Sequence, residues 1–258
     1  MTKRLSLYLA ILLAAPLGVA HATPISYTGT STGVDSGKPL SAKADFSIGT
    51  AGDLTVTLYN TGTYDVTQPS DILQAVYWSM ASDVSLQLVS ATTAAQVQFT
   101  SSGNHQYGGG SYTESAGQTY SGTTELSGKY SLGSPIAGIG SAGLGNFGNT
   151  VGGGDYGILP TARHYPSYTG DRLSTYNGGM VNNSPYAQGN VTFHLKATAN
   201  GAPITDVGAL GLKDVNFQWG TSPDLVGPAT VPAPSTLALM PLAIGLMAAV
   251  TRKRRRRT

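Results

Sequence analysis

The serine at position 31 has the local spacing of a catalytic nucleophile. It lies in Gly29-Thr-Ser31-Thr-Gly33, the G-x-S-x-G pattern of the nucleophile elbow. The elbow requires a strand before the serine and a helix after it, whereas the next residues, Val34-Asp-Ser-Gly-Lys-Pro39, begin a helix poorly. We therefore expect a turn near the start of the mature chain and no catalytic role for Ser31.

A second pattern, Gly138-Ile-Gly140-Ser-Ala-Gly143, matches the G-x-G-x-x-G fingerprint of dinucleotide sites. The fingerprint indicates a nucleotide site only inside a strand–helix–strand unit, and the sequence predicts no such unit here. We expect a flexible loop at this position and no cofactor.

Metal-binding chemistry has little support in the sequence. The chain has no cysteine, which excludes disulfides, thiol nucleophiles and thiolate metal sites. His105, His164 and His194 lack the spacing of metal ligands, and His194 is predicted to lie on the polar face of a strand. Asp155 and Asp171, each beside a glycine, could ligate Ca²⁺, but turn formation is the stronger interpretation. We predict no metal site.

Glu114 and Glu125 are the only glutamates. A glycosidase would need two carboxylates about 5–9.5 Å apart in a cleft, and no other feature of the sequence selects this pair. A hydrolase with an unrecognised site stays open as an alternative, but we predict that the chain is not an enzyme.

Tyrosines among Gly, Asn and Ser residues form the best candidate binding surface. Aromatic rings can stack on sugar faces while polar neighbours bond hydroxyl groups, a composition typical of adaptable recognition loops. Packing of these rings over the ends of the fold is the alternative that we favour. The candidate glycan-binding residues are Tyr156, Tyr165, Tyr168, Tyr176 and Tyr186.

The elements that would position these residues are strands. Leu40 to Ile48 alternates apolar and polar residues, Gly49-Thr-Ala-Gly52-Asp53 is a turn, and Leu54 to Leu58 alternates again, which predicts a hairpin. Similar alternation recurs near residues 84–88, 95–99, 191–197 and 215–219, and no mature segment has a long helical period. The predicted fold is an all-β antiparallel sandwich of jelly-roll or Ig-like type.

Residues 101–190 hold 21 of the 34 glycines and nine of the fourteen tyrosines. We expect long Gly/Tyr-rich loops there, interrupted by short strands or a helical turn around Thr123–Leu132 and Ile136–Phe147, because ninety structureless residues are implausible in a compact domain.

Charge is concentrated at the two ends of the chain. The formal net charge is +2, but Lys3 and Arg4 near the start and the block Arg252, Lys253, Arg254, Arg255, Arg256 and Arg257 near the end have no acidic neighbours. The remaining chain has seven basic and all thirteen acidic residues, a net charge of −6. An acidic body argues against nucleic-acid binding.

The first 22 residues have the three parts of a secretory signal peptide. Lys3 and Arg4 precede the apolar run Leu5 to Leu17, and Ala20-His21-Ala22 is an A-x-A cleavage site that places the mature start at Thr23. We expect signal peptidase to remove this signal helix.

The last thirty residues, 229–258, also have an ordered pattern. Val231-Pro232-Ala233-Pro234 cannot be helical, Ser235 to Val250 is apolar and uncharged, and the basic block follows. Sixteen helical residues span about 24 Å, somewhat less than a hydrocarbon core of about 30 Å, and snorkelling arginines make up part of the deficit. We predict a transmembrane helix whose basic end is cytoplasmic and a body, residues 23–228, outside.

This order of Pro-x-Pro, short apolar helix and terminal arginines resembles the PEP-CTERM sorting signal of Gram-negative bacteria, with Ala233 where Glu is usual. The resemblance implies recognition by exosortase, an integral-membrane cysteine transpeptidase-like enzyme that cuts near the motif and releases the body to the cell surface or polysaccharide matrix.

The body is similar to the exosortase-dependent surface proteins of that group, for which the resemblance implies location and fold more than activity. The matching segments are Leu54-Thr-Val-Thr-Leu-Tyr-Asn-Thr61, Pro69-Ser-Asp-Ile-Leu73, Ala75-Val-Tyr-Trp78, Ile139-Gly-Ser-Ala-Gly-Leu-Gly-Asn-Phe147, Asp155-Tyr-Gly-Ile-Leu-Pro160, Asn190-Val-Thr-Phe-His-Leu195 and Val215-Asn-Phe-Gln-Trp-Gly-Thr221.

The sequence therefore predicts an exported, non-catalytic surface or matrix protein that is in the inner membrane only transiently. Three alternatives stay open. One is a carbohydrate-binding module that associates with exopolysaccharide, another is a permanently anchored membrane protein, and the third is the secreted hydrolase with an unrecognised site.

Overall fold

The structure is a computed structural model. It describes residues 24–64, 66, 68–100, 103–107, 112–113, 119–120, 124–126, 129–133, 137–141, 147, 156–160, 185–221 and 226–230. Residues 1–23 and the segment from residue 231 onward, for which the sequence predicts a signal helix and a transmembrane helix, lie outside the described residues.

The described chain is built from strands joined by turns and short 3₁₀ segments. The strands are β1 (Ile25–Thr32), β2 (Pro39–Ile48), β3 (Asp53–Asn60), β4 (Leu73–Ser79), β5 (Val84–Thr93), β6 (Gln96–Thr100), β7 (Gly103–Tyr107), β8 (Tyr112–Thr113), β9 (Thr119–Tyr120), β10 (Thr124–Glu125), β11 (Tyr130–Leu132), β12 (Gly138–Ser141), β13 (Ile158–Leu159), β14 (Tyr186–Gln188), β15 (Asn190–Ala199), β16 (Ala202–Pro203), β17 (Lys213–Trp219) and β18 (Val226–Thr230).

Strands β8 and β9 pair only with each other, in a separate two-stranded sheet. The other described strands form two sheets that face each other and are joined through β18. Sheet 1 has the order β10-β5-β15-β3-β2-β1, with β16 on the end of β15. In sheet 2, β17 pairs with β4. The other edge of β4 pairs with two short strands, β12 and β13. β12 pairs in turn with β11, and the order continues from β13 through β14 and β6 to β7. Pairings are antiparallel except that of β13 with β14. This sandwich-like, mostly β arrangement confirms the predicted fold class at that level.

Aromatic side chains fill the space between the sheets. Phe46 of sheet 1 packs edge-to-face on Trp78 of sheet 2, with ring centroids 5.4 Å apart. Tyr130 of sheet 2 packs on Phe193 of sheet 1 at 5.1 Å. All four side chains are buried, so the core lies where the alternating apolar faces of the two sheets meet.

The hairpin of β2 and β3 has the predicted register. Ile48 pairs with Leu54, and the even-numbered residues of both strands are buried while their neighbours are partly exposed. The turn between them contains Ala51 and Gly52 at φ values of 58° and 75°. A Cβ on Gly52 would lie 2.5 Å from the carbonyl oxygen of Ala197, so this turn requires glycine.

Strand β18 belongs to both sheets. Its residues Val226 to Pro228 pair with β17 of sheet 2, whereas Ala229 and Thr230 pair with Gly29 and Thr28 of β1 in sheet 1. The last described strand thus closes one side of the sandwich through backbone hydrogen bonding.

Two local expectations were wrong. Ser31 lies within strand β1, opposite Leu40, and not in a turn. Gly138 to Ser141 is a strand between β11 and β4, and not a flexible loop. The glycines serve packing, because a Cβ on Gly140 would lie 2.6 Å from the Ala75 side chain and 2.7 Å from the Phe147 ring.

Short strands were correctly expected near 123–132 and 136–147, where β10, β11 and β12 lie. Among the residues that the structure describes, no helix is long and apolar enough to cross a membrane.

Phe193→Ala tests the inter-sheet core. Phe193 is fully buried against Tyr130, so its truncation should lower the free energy of unfolding by about 3–5 kcal/mol. Val89 is the matched control, because it is 57% exposed at a bulge in β5, and Val89→Ala should change stability by less than about 0.5 kcal/mol. Urea unfolding of both variants gives the comparison, and equal small losses would contradict this core assignment.

Candidate functional site

The most distinctive polar site in the described chain is a recess above the carboxyl group of Asp71. Asp71 ends a short 3₁₀ turn, Pro69–Asp71, and one residue, Ile72, separates it from strand β4. The recess is shallow and open to solvent, with room for a water-sized group. Its walls are Lys38, Pro39, Leu40, Asn60, Gly62, Tyr64, Val66, Asp71 and Pro160.

The loop between β1 and β2 forms one side of the site. The Gly33 N–H donates to the Lys38 carbonyl oxygen at 2.8 Å, and the Gly37 N–H donates to the Gly33 carbonyl oxygen at 2.8 Å. The Ser36 hydroxyl accepts from the Lys38 N–H at 3.2 Å and donates to Asp71 Oδ1 at 2.8 Å. These bonds fold residues 33–38 onto the carboxyl group.

Glycine is required where this loop approaches Asp71. A Cβ on Gly33 would lie 2.2 Å from Asp71 Oδ1 and 2.3 Å from Ser36 Oγ. Gly37 has a φ of 65°, the left-handed region that favours glycine. The two glycines that frame the serine therefore shape the loop that lies against the carboxyl group.

Asp71 is 1% exposed, and only one of its two carboxyl oxygens, Oδ1, accepts a hydrogen bond from a described residue. Its Oδ2 atom has no hydrogen-bond partner among the described residues. Burial raises the pKa of Asp71, and Asp35 raises it slightly further, whereas the Ser36 hydrogen bond and the charge of Lys38 oppose the shift. The balance favours the protonated acid more than in water.

The geometry suits holding a loop more than transferring a group. The Ser36 hydroxyl is already committed to Asp71 as a donor, and none of the described residues that line the recess is a histidine that could accept its proton. Among the described residues, no group of three or more His, Asp or Glu side chains could hold a metal ion. The Oδ2 atom is buried and has no hydrogen-bond partner among the described residues.

The candidate glycan-binding tyrosines do not form one described surface. Tyr186 is 1% exposed and packs with Val66, Ile72, Val97 and Leu159, so neither face of its ring can reach a sugar. Its assignment as a glycan contact was wrong, because strand β14 turns this side chain into the core. Tyr165, Tyr168 and Tyr176 lie outside the described residues.

Tyr156 is half-buried and already has ring and backbone contacts. Its φ is 60°, the Lys129 ammonium lies 5.1 Å from its ring centroid, and its carbonyl oxygen accepts from the buried Tyr130 hydroxyl. Desolvation raises the pKa of Tyr130, which keeps this donor protonated. Tyr156 thus packs, partly buried, against the main core cluster.

His194 lies where the alternation predicts. It is exposed on the outer face of sheet 1, directly opposite Thr55, with Nδ1 3.4 Å from Thr55 Oγ1. Glu114, His164, Asp155 and Asp171 lie outside the described residues, as do the two predicted cleavage motifs.

Sequence reasoning missed Asp71 as a site residue. The available signal was an acid placed directly before the almost uninterrupted apolar run of β4, where a charged side chain is costly to bury. Its partner Ser36 lies 35 positions away, and no local pattern links the two.

Comparisons with known proteins identify no similar protein. A scan against protein-family models, a search of curated proteins and a search of solved structures each found no match to this chain.

Asp71→Asn tests whether ionisation of the buried Asp71 carboxyl group lowers the stability of the folded protein. Because folding raises the pKa of Asp71, its ionised form destabilises the fold, and this penalty appears as pH rises from about 4 through the folded-state pKa. The asparagine oxygen can still accept from Ser36 without ionising. Asp71→Asn should therefore raise the thermal midpoint at pH 7, and the gain should vanish near pH 3.5.

Asp83→Asn is the control for this experiment, because Asp83 is an exposed carboxylate on the β4–β5 turn. It should show little change at either pH. A lower midpoint for Asp71→Asn at pH 7 would show instead that the carboxylate ion stabilises the loop.

Proposed function

We propose that this chain is an exported bacterial surface or extracellular-matrix protein. Signal peptidase removes residues 1–22, and exosortase recognises Val231-Pro232-Ala233-Pro234 and separates the body from the membrane. The body has a structural or interaction role, needs no cofactor and does not bind nucleic acid. The C-terminal helix is in the inner membrane until it is removed.

The pairing of β1 with β18 carries this proposal. Thr28 lies directly opposite Thr230. Thr28 is five residues after the predicted mature start at Thr23, and Thr230 immediately precedes Val231. The two membrane-directed segments therefore leave the body at neighbouring positions on one sheet edge.

Membrane topology makes this proximity useful. An exported signal peptide ends on the outer side of the membrane, and a tail with a cytoplasmic basic block also begins on that side. A body whose two ends are adjacent can be attached to both segments without distortion. A body with its ends on opposite sides would need a long linker.

The outer face of sheet 1 supports a role in an aqueous matrix. Hydroxyl and charged side chains pair across its strands: the Ser26 hydroxyl donates to Asp45 at 2.6 Å, and Thr57 and Thr192 lie 3.4 Å apart at their hydroxyl oxygens. Lys43 lies 2.7 Å from Asp45 and 4.4 Å from the Tyr59 ring centroid. This face is polar and its charges are largely matched.

Several finer features belong to the same proposal. The sandwich is of jelly-roll or Ig-like type, the first 22 residues form the signal helix, and residues 235–250 form the transmembrane helix. Exopolysaccharide is the surrounding material in which such a body would act. Permanent anchoring by the same helix is the competing outcome.

Peptidase dependence tests the proposal. In a host that has exosortase, the exported body should end within residues 231–234. In the same host without exosortase, it should keep all residues to Thr258 and fractionate with the membrane. Mass spectrometry of the C-terminal peptide distinguishes the two, and an intact arginine block on surface-located protein in the first host would contradict sorting.

Ala233→Glu gives a second test of the proposal, because it introduces the glutamate that is usual at this position of the PEP-CTERM motif. It should increase the processed fraction, whereas the uncharged Ala233→Gln control should not. Processing that is insensitive to both the variant and the peptidase would point to a plain anchor.

A further inference from the structure

The backbone pairing of β18 is divided unequally between the sheets. Three residues, Val226 to Pro228, pair with β17, and only Ala229 and Thr230 pair with β1. On the same edge of β1, Ile25 to Tyr27 have no strand partner among the described residues. We call the two-residue pairing of Ala229 and Thr230 with β1 the seam.

Prolines limit the length of the seam. Pro228 directly precedes Ala229, and Pro232 stands two residues after Thr230. Neither proline has an N–H to donate, so a longer hydrogen-bonded ladder with β1 is disfavoured on both sides. A two-residue seam has few hydrogen bonds and can open without unfolding the sheets.

The seam lies very near the predicted membrane segment. Five Cα steps separate Thr230 from Ser235, the first residue of the apolar run, and a fully extended chain covers at most about 18 Å in that number of steps. A membrane-embedded enzyme that acts on residues 231–234 therefore meets the folded body next to the seam.

We propose that the seam is a releasable closure: Ala229 and Thr230 leave β1 when the processing enzyme takes up the motif, and they pair again after cleavage. This inference rests on the proposed function. Enzymes and receptors that take up an extended peptide use its backbone N–H and C=O groups, the same groups that pair with β1. The body and the enzyme thus compete for one short strand.

The cleavage itself is an ordinary acyl transfer. One peptide bond at the motif breaks, its carbonyl carbon passes to water or to an amine acceptor, and the tail leaves with a new amino terminus. Opening the seam requires no oxidant, reductant or cofactor.

A disulfide that holds the seam closed until it is reduced tests the inference. Thr28 and Thr230 are directly opposed, and opposed residues of an antiparallel pair have Cα atoms about 4.5–5.5 Å apart, within the range that a disulfide spans. The natural chain has no cysteine, so Thr28→Cys with Thr230→Cys in the full-length protein forms one defined disulfide after export. Intact mass identifies oxidised molecules and reports their C-terminus.

Among oxidised molecules in the exosortase-containing host, we expect the processed fraction to fall at least tenfold. Each single cysteine variant should be processed like the natural chain, as should the double variant when the host is grown with reductant. The matched control is Thr57→Cys with Thr192→Cys, an opposed pair on β3 and β15 far from the seam. That lock should not reduce processing.

Equal processing of the two locked proteins would overturn the inference and leave the proposed function intact. A natural chain that is never processed in the exosortase-containing host would instead refute the proposed function, and the inference with it.

Discussion

The backbone pairing of β18 with both β17 and β1 is the constraint on which the arrangement depends. A sandwich buries its core between two faces, and each sheet edge presents unpaired backbone groups. β18 satisfies the edge of β17 with three residues and part of the edge of β1 with two. It also fixes the position of Thr230, so closure of the fold and the start of the proposed membrane-directed segment share one strand.

The core and the outer face of sheet 1 stabilise the fold in different ways. Phe46, Trp78 and Phe193 are among the large buried side chains that exclude water between the sheets and contribute to the hydrophobic driving force. The Ser, Thr, Lys and Asp side chains outside keep the same strands soluble and set their register, because slipping by one residue would bury the polar set. The loop that Ser36 ties to Asp71 joins β1 to β2 at one end of this sheet.

Sequence predicted the parts of the fold whose side chains alternate. The β2–β3 hairpin and the exposed position of His194 follow from a period of two. Two of the four residues of β12 are glycines, so its sequence has no alternation of apolar and polar side chains that could predict a strand. The close packing of Gly138 and Gly140 against β4 and Phe147 is visible only in the structure. The buried states of Asp71 and Tyr186 depend on partners distant in the chain, and β18 contains Gly and Pro, which usually indicate a loop.

Amide hydrogen exchange across β17 and β18 of the folded body tests most directly whether one strand closes the fold and can also open locally, as the proposed processing requires. The seam should open by local fluctuation while the pairing with β17 persists. We predict that the amides of Ala229, Thr230 and their β1 partners exchange at least tenfold faster than the hydrogen-bonded amides shared by β17 and the first half of β18. Equal protection along the whole of β18, lost only on global unfolding, would contradict the account.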